Sequence, residues 1–186
     1  PRTPSGVTLT DALFDSLETP KVVPGKYNIM VAGIGGTGVI TVGALIGMAA
    51  HIDGRAASLF DMTGLAQTGG AVLSHVRLAD RQDQLSAVRI ATGEANTVLG
   101  CDILVVVSDE ALAKTQAGFT RAIVNTGEAI TGDFVRNPDQ PFPLAAMEQQ
   151  VRDAVGADAA DFLDATRLAS VLTGDAIMTN MFLLGV

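Results

Sequence analysis

Residues Asn28 to Ala50 read NIMVAGIGGTGVITVGALIGMAA. The apolar run from Tyr27 to Ala32 has the character of a strand covered on both faces. After it, glycines at 33, 35 and 38 keep the G-x-G-x-x-G spacing. Then VITVGALIGMAAHI is too long and too rich in small residues for a strand, and it reads as a helix packed closely on a sheet. In such a strand, turn and helix unit, Gly33 and Gly35 allow the sharp turn and a close backbone approach, and Gly38 lets the helix sit tight. Free N–H groups and the helix dipole then favour an anion at the helix N-terminus.

Working outward, residues 1–26 form a prelude, PRTPSGVTLTDALFDSLETPKVVPGK, with Thr8 or Thr10 as cap of a short helix that ends at Thr19-Pro20. It is expected to be a linker or N-terminal arm, with one α/β domain over 27–186. Beyond the first unit, AASLFDM is a second strand ending at Asp61, TGLAQTGG a polar flexible segment, and Ala71 to Leu78 an alternating strand solvated on one side. A short strand is expected over Ala87–Ala91 and another over Ile103–Val107. Ser108 then caps a helix with acids in its first turn. AIVNTG is a further short strand, followed by the loop TGDFVRNPDQPFPLA. Helices are expected near Ala145–Val155 and Ala159–Leu172, with a last one from Gly174-Asp175 cut at Val186. The alternation predicts an α/β fold: three layers, a Rossmann-like, largely parallel sheet with helices on both faces.

Composition bounds the function. At 186 residues the chain can bury one core without staples. Hydrophobic residues make up 48% and charged residues 17%, with a mean hydropathy of +0.36, greasier than a free-standing domain needs, so part of the surplus is expected to face a partner. A formal charge of -8 with no basic run argues against nucleic acid. No clean membrane span or signal core is legible, and a cytoplasmic location is expected. The single cysteine, Cys101, reads as a small buried hydrophobe, and without a C-x-x-C the chain offers no iron–sulfur or structural zinc site of its own. The start at Pro1 and the stop at LLGV point to a fragment of something longer.

Three readings of the glycine loop remain open on residues alone. A self-sufficient NAD(P)-dependent oxidoreductase would use Gly33, Gly35 and Gly38, with Asp61 on the ribose. It would also need a proton donor, and His51, in the helix tail, and His75, in a strand, both read better as surface or structural residues. In a pure assembly module the loops would only make tight turns. The third is an anion-binding module of a larger enzyme.

The ordered blocks GIGGTGVITVGALI, MTGLAQTGGAVLSHVRLAD, CDILVVVSDEALA, AIVNTG and TNMFLLG resemble the gamma subunit or domain of the 2-oxoacid:ferredoxin oxidoreductases, most closely the indolepyruvate branch. The resemblance covers about residues 27 to 186. It implies an α/β module beside others that bind thiamine diphosphate and iron–sulfur clusters. The whole assembly would decarboxylate a 2-oxoacid oxidatively to an acyl-CoA and pass electrons to a ferredoxin-type acceptor. The gamma module would serve assembly and the coenzyme A side, hold no cofactor alone, and leave room for a homo-oligomer. By position, Gly35, Gly36, Thr37 and Gly38 form the first loop, Gln67, Thr68, Gly69 and Gly70 the second, and Arg77 follows in the strand. Asn180 and Gly185 match the closing helix. Thr68 stands where many relatives carry an arginine. Tight turning is an alternative role for Gly69 and Gly70, and pairing with Asp80 or Asp83 one for Arg77.

Overall fold

The computed structural model describes residues 23–64, 69–127 and 142–186. The N-terminal arm with its short helix, residues 65–68 of the TGLAQTGG segment and most of the loop before Ala145 lie outside the described residues. The order is β1 (Tyr27–Ile34), α1 (Val39–Ile52), β2 (Ala56–Thr63), β3 (Ala71–Ala79), β4 (Thr97–Gly100), α2 (Ile103–Val106), α3 (Asp109–Leu112), β5 (Arg121–Asn125), α4 (Leu144–Val155), β6 (Ala160–Leu163), α5 (Ala165–Thr173) and α6 (Thr179–Leu184). Three 3-10 turns intervene, at Gln82–Gln84, Ala157–Ala159 and Ala176–Met178.

The six strands form one sheet in the order β2-β3-β1-β4-β5-β6. β1, β4, β5 and β6 pair in parallel, while β3 runs antiparallel to both β1 and β2. Five strands therefore point one way and β3 alone opposes them, as the largely parallel expectation requires. One face buries Val31, Val72, Val76 and Leu78 under Val39, Val42 and Ala50 of α1, with Ala165 of α5 and Leu183 of α6 in the same cluster. The other buries Met30, Leu73, Val98 and Val124 with Ile103 and Val106 of α2 and Val151 and Val155 of α4. The fold is α/β with helices on both faces.

α1 is apolar almost all round, and glycines bring it close to the sheet. A Cβ on Gly43 would stand 2.7 Å from Ser74 Oγ, and one on Gly47 2.7 Å from Leu59 Cδ1. Its outer stripe of Leu45, Met48 and Ile52 stays exposed.

Five expectations are corrected. Ile103–Val107 is not a strand: Asp102 accepts the amide of Val105 and starts a helical turn, and the strand is Thr97–Gly100 just before it. A short apolar run buried on all sides carries no period that separates strand from helix. Ala159–Leu172 is not one helix but β6, which extends the sheet beside β5, then α5, restarted by Asp164 accepting the amide of Arg167. The last helix begins at Thr179, because Asp175 first caps the 3-10 turn Ala176–Met178.

β3 is not solvated on one side; Val72 to Ala79 are all buried. His75 and Arg77 lie under the segment expected as a strand over Ala87–Ala91, which makes no ladder. Instead the Ile90 amide donates to His75 Nδ1 at 3.1 Å, and Arg77 Nη1 donates to the carbonyl oxygens of Ala87 at 2.7 Å and Arg89 at 3.4 Å. Two side chains thus hold a crossing loop that has no backbone partner on this strand.

Candidate functional site

In a parallel sheet the carboxyl ends of the strands meet helix N-termini, and a crevice opens where neighbouring connections leave to opposite faces. That point is between β1 and β4: the chain leaves β1 for α1 on one face and β4 for α2 on the other. A cleft of about 390 Å³ lies here, lined by Gly36 and Thr37 after β1, Cys101 and Asp102 after β4, and Asn125 at the end of β5. Thr166 of α5 and Asn180 of α6 close it.

The glycine loop forms one lip. Gly33 is buried where β1 meets β4: a Cβ there would stand 2.7 Å from both Cys101 Cβ and Val39 Cγ2. Gly35 donates its amide to the Gly70 carbonyl oxygen at 2.8 Å, which clasps the first glycine loop to the second. Gly36 and Gly38 have φ of 88° and 96°, with open space where a Cβ would be. Gly38 is the N-cap of α1 and offers no side chain to satisfy the first turn. Among the described residues, nothing accepts from the amides of Gly36, Gly38, Val39, Ile40 or Thr41. These are the unpaired donors that a helix start presents to an anion.

Thr37 is fixed from both sides. Its hydroxyl donates to the Ile34 carbonyl oxygen at 2.7 Å, and its own carbonyl oxygen accepts from Asn180 Nδ2 at 2.8 Å. Opposite, Asn125 Nδ2 donates to the Cys101 carbonyl oxygen at 3.2 Å and to Thr166 Oγ1 at 3.1 Å. Its Oδ1 accepts the amides of Ala165 at 2.9 Å and Gly127 at 3.1 Å. One side chain thus joins the ends of β4 and β5 to the start of α5.

The electrostatics are sparse. Among the described residues no lysine or arginine lines the cleft, and what these residues offer an anion there is backbone donors. Burial pushes the Asp102 carboxyl above the usual carboxylate range, against the hydrogen bonds it accepts from Val105 and Leu104. Burial, and secondarily the charge of Asp102, pushes the Cys101 thiol up to about 12, so it is no nucleophile at neutral pH. Among the described residues no group of His, Cys, Asp and Glu could hold a metal ion.

Of the residues singled out from sequence, Gly36 and Thr37 line this cleft, Gly33, Gly35 and Gly38 belong to the same loop, and Gly70 is bound to that loop through Gly35. Gly69 has φ 79°, a turn that feeds β3. Gln67 and Thr68 fall outside the described residues. Arg77 is not brought here. It pairs in register with Asn28 while Ile34 pairs with Ala71, so six residues of strand, about 20 Å, separate it from the loop. Nor does it pair with Asp80 or Asp83, which are bound to Arg55 and Arg81.

Asp61 is exposed and stands opposite Ser74, which stands opposite Val31. The antiparallel β3 thus puts two strand spacings, about 10 Å, between the acid and β1. In a dinucleotide fold the acid-bearing strand is β1's neighbour, so the ribose role falls away. Sequence reasoning missed Asn125, Thr166 and Asp102 as cleft residues. The available signal for Asn125 was a polar side chain closing the apolar run Ala122–Val124 before Thr126-Gly127.

Comparison with known proteins agrees with this fold. The family model described as pyruvate ferredoxin/flavodoxin oxidoreductase matches residues 28–186. The chain is 27% identical over 165 residues to the indolepyruvate oxidoreductase subunit IorB of Methanothermobacter thermautotrophicus, covering 86% of this chain and 76% of that one. It is 27% identical over 163 residues to the same subunit of Archaeoglobus fulgidus, covering 84% and 75%. In fold it is similar to the pyruvate oxidoreductase subunit PORC of Thermotoga maritima, with TM-score 0.58 and 20% identity over 87% of this chain and 74% of that one. The gamma subunit of a keto/oxoacid ferredoxin oxidoreductase from Geobacter sulfurreducens gives TM-score 0.55 and 22% identity, covering 86% and 73%. With the family's match spanning nearly the whole sheet and its helices, the chain belongs to the pyruvate ferredoxin/flavodoxin oxidoreductase family, as a subunit or domain of a 2-oxoacid:ferredoxin oxidoreductase.

Proposed function

We propose that this chain is the gamma module of an indolepyruvate-type enzyme, and that its cleft receives an anionic group of coenzyme A while other modules decarboxylate the 2-oxoacid. The observation that carries the reading is the start of α1. An αL glycine cap leaves consecutive amide donors without partners, at the mouth of a cleft on the carboxyl edge of the sheet. The names of the curated relatives support the indolepyruvate assignment. A 2-oxoglutarate:ferredoxin oxidoreductase from Magnetococcus marinus, solved with coenzyme A and succinyl-CoA bound, shares the fold at TM-score 0.60 and 16% identity, with coverage of 86% of this chain and 23% of that one.

This chain's residues do not fit the iron–sulfur clusters of such an enzyme. One cysteine cannot ligate an iron–sulfur cluster. In this reading the clusters, thiamine diphosphate and the contact with a ferredoxin-type acceptor belong to partner subunits or domains in the cytoplasm. The exposed apolar stripe Leu45, Met48 and Ile52 on α1 supports an assembly role, since a helix apolar all round is one that something covers.

The test is Gly36→Asn in the assembled enzyme. Asparagine tolerates the left-handed conformation at Gly36, and its side chain would project into the space beside the free amides. The expected result is a higher KM for coenzyme A with an unchanged KM for the 2-oxoacid. A thermal shift of the chain with coenzyme A but not NAD⁺ would agree; at a hundredfold excess over Kd it amounts to about 2.7 kcal/mol. A shift with NAD⁺ alone would favour the dehydrogenase reading. The bond from Gly35 to Gly70 favours one alternative, in which the loops only clasp one another and ligand binding plays no part; an unchanged KM for coenzyme A would select it.

A further inference from the structure

A second cleft, of about 440 Å³, opens at the other end of the sheet, lined by Lys26, Asn28, Arg77, Glu94, Asn96 and Gln116 among others. Arg77 is 6% exposed, and among the described residues no carboxylate meets its charge. Its Nε donates to Asn28 Oδ1 at 3.1 Å and its Nη1 to two backbone carbonyl oxygens, while Nη2 makes no hydrogen bond to a described residue. The acids nearest in sequence are committed elsewhere: Asp80 to Arg55 and the Gly25 amide, Asp83 to Arg81. A buried guanidinium held only by neutral acceptors leaves uncompensated positive charge in a wall of low polarisability.

The other lining groups add donors. Asn96 uses its Oδ1 to accept the Asn28 amide at 2.8 Å, and its Nδ2 has no partner among the described residues. Among the same residues the Gln116 side chain makes no hydrogen bond, and the exposed Lys26 makes no ion pair. Glu94 lines the same cleft but pairs with neither cation. Phe119, 49% exposed, gives an apolar wall. Among the described residues the cleft therefore offers two cations, two unpaired amide groups and one carboxylate that pairs with neither cation.

We propose that this cleft binds a small anionic ligand through a carboxylate or phosphate group, with Arg77 and Lys26 supplying charge and Asn96 a directional donor. It is separate from the glycine loop, since the six-residue register offset along β1 and β3 puts it about 20 Å away. Neither the family assignment nor the coenzyme A reading requires it.

The experiment follows the unfolding midpoint of the full chain in inorganic phosphate and in acetate, each against chloride at equal ionic strength. At least one of the two anions is expected to raise the midpoint beyond chloride, and which one does identifies the recognised group. Lys26→Glu is exposed and should fold; it is expected to weaken the fitted affinity roughly tenfold, as for a lost charge-assisted bond plus an added like charge. Arg77→Gln should remove the effect, but it also releases the loop at Ala87, which is why Lys26 carries the decision. Gly36→Asn, at the other cleft, should leave intact the part of the effect that Lys26→Glu removes. No stabilisation by either anion, an effect untouched by Lys26→Glu, or one abolished by Gly36→Asn overturns the proposal.

Discussion

Asn180 in α6 donates to the carbonyl oxygen of Thr37 at 2.8 Å across 143 positions of sequence, so the last helix holds the glycine loop in place. The donor side chain is 3% exposed, and its Nδ2 also lies 3.3 Å from Thr37 Oγ1. Asn180→Asp keeps the volume and removes the donor, setting an oxygen against the Thr37 carbonyl. The expected cost is about 1–3 kcal/mol, and for a chain of this size each kcal/mol lowers the midpoint by about 2–4 °C. Calorimetry or circular dichroism would read it; no change in midpoint would mean that α6 does not restrain the loop.

Gly33 and Gly36 differ in what a side chain would meet, and their variants should separate. Gly33→Ala drives a Cβ to 2.7 Å from Cys101 Cβ, a backbone-bound atom that cannot swing aside, and to the same distance from Val39 Cγ2. Overpacking of this kind costs about 1–3 kcal/mol. At Gly36 there is open space and only the left-handed φ matters, so Gly36→Asn should cost little stability while acting on the cleft. Urea unfolding of the two variants checks this. Equal destabilisation would show that the close approach of β1 and β4 at Gly33 relaxes freely.

The same contrast explains what the sequence could show. The β1, loop and α1 unit was legible because a change of period coincides with glycines that sterics demand. ILVVV after Cys101 was not, because a run buried on all sides has no period, and the deciding feature is the bond between Asp102 and the Val105 amide. His75 and Arg77 looked solvated because their alternation with Val76 and Leu78 is that of a half-exposed strand. They are buried because a later segment crosses them, and no local pattern announces that crossing. Asn180 meets the loop, and Asn125 and Thr166 the opposite wall, only through tertiary contacts, so their place at the cleft was equally hidden.

His75 makes stability pH-dependent. It is fully buried, and burial first, then the charges of Lys114 and Arg89, lower its pKa from 6.5 to about 4, opposed by Asp61. Between those values the unfolded chain binds a proton that the folded chain does not, so stability falls as pH drops from about 6.5 towards 4. At the limit the loss is on the order of 3 kcal/mol, since one unit is about 1.4 kcal/mol. Asp102 acts in the opposite sense in acid, because its raised pKa lets the folded state hold the proton longer. The comparison to make is therefore wild type against His75→Gln, which keeps an acceptor for the Ile90 amide without titrating. The variant should be flatter over this range by urea titration at successive pH values; parallel curves would place the proton elsewhere.

Cys101 sits between β4 and Asp102, 6% exposed, with its thiol pushed up to about 12. At pH 8 almost none is thiolate, and the reagent has no access, so iodoacetamide should label the native chain only as fast as the β4–α2 junction opens. In urea the same thiol should alkylate readily, and intact mass measures both. Asp102→Asn isolates the electrostatic part. Asparagine can still accept the Val105 amide as an N-cap, so α2 should persist while the thiol loses one cause of its raised pKa. Native labelling should then rise modestly, with the larger barrier of burial remaining. Because the folded thiol titrates above its unfolded value of 9.0, wild-type stability should also fall as pH rises from about 9 towards 12, and Cys101→Ser should lack that slope. Rapid labelling of the native wild type at pH 8 would show instead that the junction beneath the cleft is open in solution, and the rigid lip assumed for anion binding would be lost with it.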